Sequence, residues 1–142
     1  MICVDASVAA KWLFPEEYSA QALSLVNHAA AAKERIIAPA LLPIEITNII
    51  RQRMRQGTLS LDQAQDEVGR FFSFRVSTTS PRLLHRQALI VADQYNIPSA
   101  YDAHYVALAE LAGAILWTND ECLLRLLAGK LPFVRWIADY RV

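Results

Sequence analysis

Short apolar runs, each followed by a stretch with helical spacing, recur along the chain. Ile2-Cys3-Val4 leads into Ala6 to Phe14, and Arg35 to Ala38 leads into a run marked by Ile44, Ile46, Ile49, Ile50 and Met54. Ala114 to Thr118 then leads into Glu121 to Ala128. Apolar runs of this length alternating with 3.6-residue periodicity are how buried parallel strands and their crossover helices read in sequence. The pattern predicts an α/β fold, a mostly parallel sheet of four or five strands covered by helices on both faces.

Local signals set the boundaries. Pro15 breaks the first helix, and Glu16-Glu17 suits the first turn of a second that runs to about Ala32. Gly57 follows the helix through Met54, and Ser60 with Gln63 has the spacing of a capping box for a helix through about Phe72. Phe74 to Thr78 reads as a strand, and Ser80-Pro81 opens a helix that ends near Asn96. After the connector Ile97-Pro98-Ser99, a helix runs from about Tyr101 to Ala112 before Gly113, and Phe133 to Ile137 is the last strand. No repeat, low-complexity tract or linker interrupts the 142 residues. They fit one domain, long enough to bury roughly 68 to 70% of the unfolded surface.

On this frame four acids stand out. Asp5 and Asp120 close predicted strands, Asp102 opens a predicted helix, and Glu45 lies between Ile44 and Ile46 on the border of a buried face. Each has an ordinary explanation: Asp5 and Asp120 suit helix N-caps, and Asp102 suits a first turn favoured by the helix dipole. Ligands of parallel sheets, however, gather at the strands' carboxyl ends, where this topology allows all four acids to meet. At an effective dielectric of about 20, two carboxylates roughly 4 Å apart repel by about 4 kcal/mol. A cluster of four therefore calls for protonation or for a divalent cation such as Mg²⁺ or Mn²⁺.

Composition narrows the alternatives. Hydrophobic residues make up 54% and charged residues 20%, which is globular, and no apolar stretch reaches the roughly 18 to 20 residues of a membrane span. The opening residues lack a basic leader, so a cytoplasmic protein is expected. Cys3 and Cys122 belong to no C-x-x-C pair and read as ordinary buried thiols. With 14 Lys plus Arg against 14 Asp plus Glu, bulk charge does not mark a polyanion binder. Arg51, Arg53 and Arg55 form the densest basic segment and suit the solvated end of a helix.

Histidine is not needed at the acids. His28 and His85 are remote in sequence, and His104 points about 200° away from Asp102 on a helix, so a structural role is expected. No Gly-rich phosphate loop is present. A receiver domain fits poorly, because Asp5 has no adjacent acid and Phe74 to Thr78 carries none. A HAD-type phosphatase lacks its second aspartate in Asp5-Ala6-Ser7.

Val4-Asp5-Ala6-Ser7-Val8 with Lys11-Trp12, Ala38-Pro39 to Glu45, Tyr101 to Ala109, and Thr118-Asn119-Asp120 together resemble a PIN domain, specifically the VapC toxins of bacterial and archaeal toxin–antitoxin modules. The resemblance covers nearly the whole chain. It implies a three-layer α/β/α sandwich whose acidic pocket binds Mg²⁺ or Mn²⁺ and hydrolyses RNA, leaving 5′ phosphate and 3′ hydroxyl ends. Asp5, Glu45, Asp102 and Asp120 would hold metal, and Thr118 would support the site, or else be a strand-end threonine bonded to a turn. Lys11 would hold substrate phosphate, or else be a surface lysine; Arg51, Arg53 and Arg55 would guide RNA. A VapB-like antitoxin and a homodimer are also implied. Trp12-Leu13-Phe14 suits either the core or a partner groove. The alternatives are a PIN nuclease of RNA maturation outside a toxin module and a non-catalytic scaffold.

Overall fold

The structure, a computed structural model, describes residues 1–141. Five strands alternate with seven helices in the order β1 (Ile2–Val4), α1 (Ala6–Leu13), α2 (Ser19–Ala31), β2 (Ile36–Ala38), α3 (Leu41–Arg55), α4 (Leu61–Ser73) and β3 (Ser77–Thr78). There follow α5 (Arg82–Tyr95), α6 (Ala100–Ala112), β4 (Ile115–Thr118), α7 (Glu121–Leu127) and β5 (Val134–Trp136), then a 3-10 turn at Ile137–Asp139. All pairings are parallel, in the order β3-β2-β1-β4-β5. The alternation read from the sequence is therefore the fold.

The strand order decides where a site can form. From β1 the chain steps outward through β2 and β3, then returns to the other side of β1 for β4 and β5. With the right-handed crossovers that parallel strands favour, this reversal opens a crevice at the carboxyl ends of β1 and β4. Ile2, Cys3 and Val4 lie opposite Ile115, Leu116 and Trp117, so Asp5 and Thr118 come next on adjacent strands.

The apolar strand residues pack into one core with α1, α6 and parts of the other helices. Trp12 is almost wholly enclosed, donates its indole N–H to the Ala22 carbonyl at 3.0 Å and packs against Phe74 with ring centroids 5.1 Å apart. Trp12-Leu13-Phe14 thus belongs to the core. Among the described residues no helix is long and apolar enough to cross a membrane.

Several local expectations are corrected. Glu16 and Glu17 lie before α2, because Tyr18 takes a left-handed backbone (φ 65) and the helix begins at Ser19. The strand expected at Phe74 to Thr78 shrinks to two residues, since Phe74 caps α4 and Arg75 is left-handed (φ 57). The α3 helix starts earlier than its isoleucine pattern, at Leu41, with Pro43 in the first turn where a missing N–H costs nothing. Cys3 is buried as expected, whereas Cys122 is exposed on the outward side of α7. The Ser60–Gln63 capping box is present in both directions.

Truncation of Trp12 to alanine removes a core contact and the indole bond to the Ala22 carbonyl. A loss of about 3 to 5 kcal/mol in urea unfolding is expected; a loss below about 1 kcal/mol would show that the core closes without this ring.

Candidate functional site

Asp5 sits at the crevice and is 7% exposed. Its carboxylate caps α1 by accepting from the Val8 N–H at 3.2 Å, as the capping reading requires. It also accepts from Ser7 Oγ at 2.5 Å through Oδ1 and from the Thr118 hydroxyl through Oδ2. Both hydroxyls pass on a bond from the loop after β4: the Asn119 N–H donates to Ser7 Oγ at 2.8 Å, and the Asp120 N–H donates to Thr118 Oγ1 at 3.0 Å. Thr118 is fully buried, and its position at the end of β4 makes it the link between adjacent strands.

Asp120 caps α7, accepting from the Leu123 N–H at 3.0 Å. Asn119 is held by Trp136, whose indole N–H donates to Asn119 Oδ1 at 2.9 Å, so β5 stiffens the same loop. Glu45, half-buried on the second turn of α3, accepts from the Tyr105 hydroxyl at 3.1 Å. Asp102 lies in the first turn of α6, but Ser99, not Asp102, caps that helix. Ser7 and Tyr105 were not singled out in the sequence. Tyr105 follows Asp102 by three residues on one helix face, a spacing that puts it beside the acids, whereas nothing local pairs it with Glu45, 60 residues away.

The acids act on one another. Burial pushes Asp5 up to about 6 from an ordinary 3.8, and the charge of Asp120 adds to this, against the opposing bonds from Ser7, Thr118 and Val8. Burial also raises Glu45, with the charges of Asp5 and Asp102 adding and the Tyr105 bond opposing. Burial and the charge of Asp120 raise Asp102. The couplings form a closed ring, Asp5 to Asp120 to Asp102 to Glu45 and back to Asp5. Burial and the nearby carboxylates raise Tyr105 and Cys3 as well, so both stay protonated at neutral pH.

The structure thus brings the four acids to one edge. The donor set is all oxygen, the chemistry that suits a hard divalent cation, and the one thiol nearby, Cys3, faces the Tyr105 carbonyl at 3.8 Å. Among the described residues no three His, Cys, Asp or Glu side chains stand close enough to hold one ion between them. Glu45 has the Tyr105 hydroxyl as its hydrogen-bond partner, and Asp102 lies half-buried in the first turn of α6. Both open on a groove of about 540 Å³ shared with Ile44, Asn48 and Tyr101.

The candidate cations divide. Lys11 is 5% exposed, so the surface reading is overturned. It lines a groove of about 380 Å³ with Ser7, Arg53 and Asn119, next to the Asp5 network. Arg53 lies 4.6 Å over the Phe14 ring and 3.9 Å from Glu16, whereas Arg51 and Arg55 are exposed on the last turns of α3. His104 contacts His85, ring nitrogens 2.9 Å apart, and the Ala100 carbonyl.

Comparison with known proteins bears on the family and the fold. The profile of the PIN domain family matches residues 2–127. Ribonuclease VapC3 of Pyrobaculum aerophilum is 32% identical over 136 residues, covering 92% of this chain and 95% of that protein. The crystal structure of PAE2754 from Pyrobaculum aerophilum superposes with a TM-score of 0.71 over 96% of this chain and 90% of that one. At 21% identity it supports the fold alone.

Two outcomes are expected. Because Asp5 holds its proton more tightly folded than unfolded, the associated stability is complete below about pH 4 and is lost as pH rises through about 6. In chelator, the Asp5 proton should therefore add about 2 kcal/mol of stability between pH 7 and pH 4.5, and Asp5→Asn should remove that part of the profile. A parent profile falling over that interval would contradict the assignment. Thr118→Val deprives both Asp5 and the Asp120 N–H of a partner, so urea unfolding at pH 7 should lose about 1 to 3 kcal/mol. An unchanged midpoint would show that the hydroxyl is dispensable.

Proposed function

Because the chain belongs to the PIN domain family, we propose that it is a metal-dependent endoribonuclease acting as the toxin of a VapBC-type toxin–antitoxin pair. The observation that carries the proposal is geometric: Glu45 and Asp102 line one groove, and Asp5 and Asp120 are joined through Thr118 at the sheet's switch point. The likeness to a ribonuclease over 92% of the chain supports RNA as the substrate.

In this reading Asp5, Glu45, Asp102 and Asp120 hold Mg²⁺ or Mn²⁺ directly or through water. When bound, the ion supplies a nucleophile that forms at neutral pH and positive charge for the departing 3′ oxygen. The chain's own contribution is orientation. Ser7, Thr118 and Val8 fix both Asp5 oxygens, Tyr105 fixes Glu45, and the β4–α7 loop carries Asp120. Asp102, half-buried in the first turn of α6, completes the set. Lys11, buried against the same network, takes a phosphate next to the cut, and Arg51, Arg53 and Arg55 guide the strand along α3. The product ends are 5′ phosphate and 3′ hydroxyl.

The same reading assigns a cytoplasmic location, a VapB-like antitoxin that places a basic side chain among the acids, and a homodimer. Purified protein should cut RNA only with Mg²⁺ or Mn²⁺. Asp102→Asn, with unchanged circular dichroism, should lower the rate by more than about 100-fold, the upper end of what loss of an outer-shell partner costs. Cleavage that persists in excess chelator sinks the proposal.

A further inference from the structure

The end of the sheet opposite the acids gathers the other charge. Arg35 immediately precedes β2 and Arg75 lies two residues before β3, so the parallel strands set both at the edge away from Asp5. Lys33 joins them from the end of α2, and the three line a cavity of about 560 Å³ with Asn27, Ser77 and Phe74. All three cations are exposed, and among the described residues none is ion-paired. The acid on the rim, Glu34, lies 3.1 Å from the Met1 ammonium. In a chain with equal numbers of acids and cations, this is a local excess of positive charge at one pole.

The backbone adds an independent observation. Lys33 (φ 54) and Arg75 (φ 57) are both left-handed just past a helix end. After α6 the chain meets the same demand with Gly113 (φ 63). An L side chain in this conformation costs more than an exposed cation gains from a helix carboxyl end, so the helix dipole does not account for a lysine and an arginine here. Between the poles runs the sheet's outer edge, where Ser77, Thr78 and Thr79 are exposed. Ser80 then accepts from the Ala40 N–H at 2.9 Å, one residue before the helix that carries Glu45.

We propose that this cavity is a second phosphate-binding subsite, which grips the RNA strand away from the cut with Lys33, Arg35 and Arg75 and sets a base against Phe74. The hydroxyl-lined edge at β3 is the path that joins it to the acids. The subsite rests on the nuclease reading, since it assumes that RNA is the ligand.

The test uses Lys33→Gly/Arg75→Gly, which removes two cations while glycine keeps the left-handed backbone, so the thermal midpoint should hold or rise. Binding of a fluorescein-labelled RNA of about 15 nucleotides is read by anisotropy in chelator between about 50 and 200 mM salt. The variant should bind about tenfold more weakly at the lowest salt, with a log–log salt slope reduced by about 1.4, two contacts at about 0.7 each. With metal, KM for the long RNA should rise, while an RNA of about four nucleotides, too short for both poles, should be cut at the parental kcat/KM. Unchanged affinity and slope would overturn the subsite, as would an equal loss on both RNA lengths. Absence of cleavage by the parent would instead refute the nuclease reading and leave the anisotropy comparison readable.

Discussion

The Asp5 carboxylate, buried at the junction of β1 and β4 and bonded to Thr118 across it, is the contact on which the rest of this end of the molecule depends. A buried carboxylate without partners is costly, and here both oxygens are met by donors that are themselves fixed by the backbone of the β4–α7 loop. The same bonds draw that loop, and with it Asp120, toward β1. The strand order explains why the contact forms here: β1 and β4 are neighbours in the sheet although the chain passes through two other strands between them. The remaining two acids arrive on helices α3 and α6, and Tyr105 ties one helix to the other.

Sequence patterning carried most of the architecture because the signals that set it are local. Strand and helix order, the Ser60 capping box and the three glycines that follow α3, α6 and α7 all depend on residues a few positions apart. The failures fall where distant packing decides. Nothing near Lys11 announces that α1 will be enclosed nearly all round, and nothing near Cys122 says that its side of α7 faces outward. The two-residue β3 follows from a left-handed Arg75 that the apolar pattern does not encode.

The acids show a different limit. In the sequence, capping and site membership stood as alternatives for Asp5 and Asp120. In the structure both carboxylates cap a helix, and each also bears electrostatically on another acid of the four, so capping does not exclude a place among them. A two-oxygen side chain has the capacity for this. Glu45 and Asp102 carry no cap, and their shifts come from burial and from neighbouring charge. Their proximity was legible only as topology, through the expectation that crossover connections return to one sheet edge.

The 113 residues that separate the partners of the Asp5–Thr118 bond have a consequence for biosynthesis. A ribosome adding about 5 to 20 residues per second finishes the first strand on the order of ten seconds before the fourth emerges. Until then the central strand has no neighbour on that side and the acids cannot gather. Whatever chemistry this edge performs is withheld from the nascent chain, so the translation machinery that makes the protein meets it unarmed.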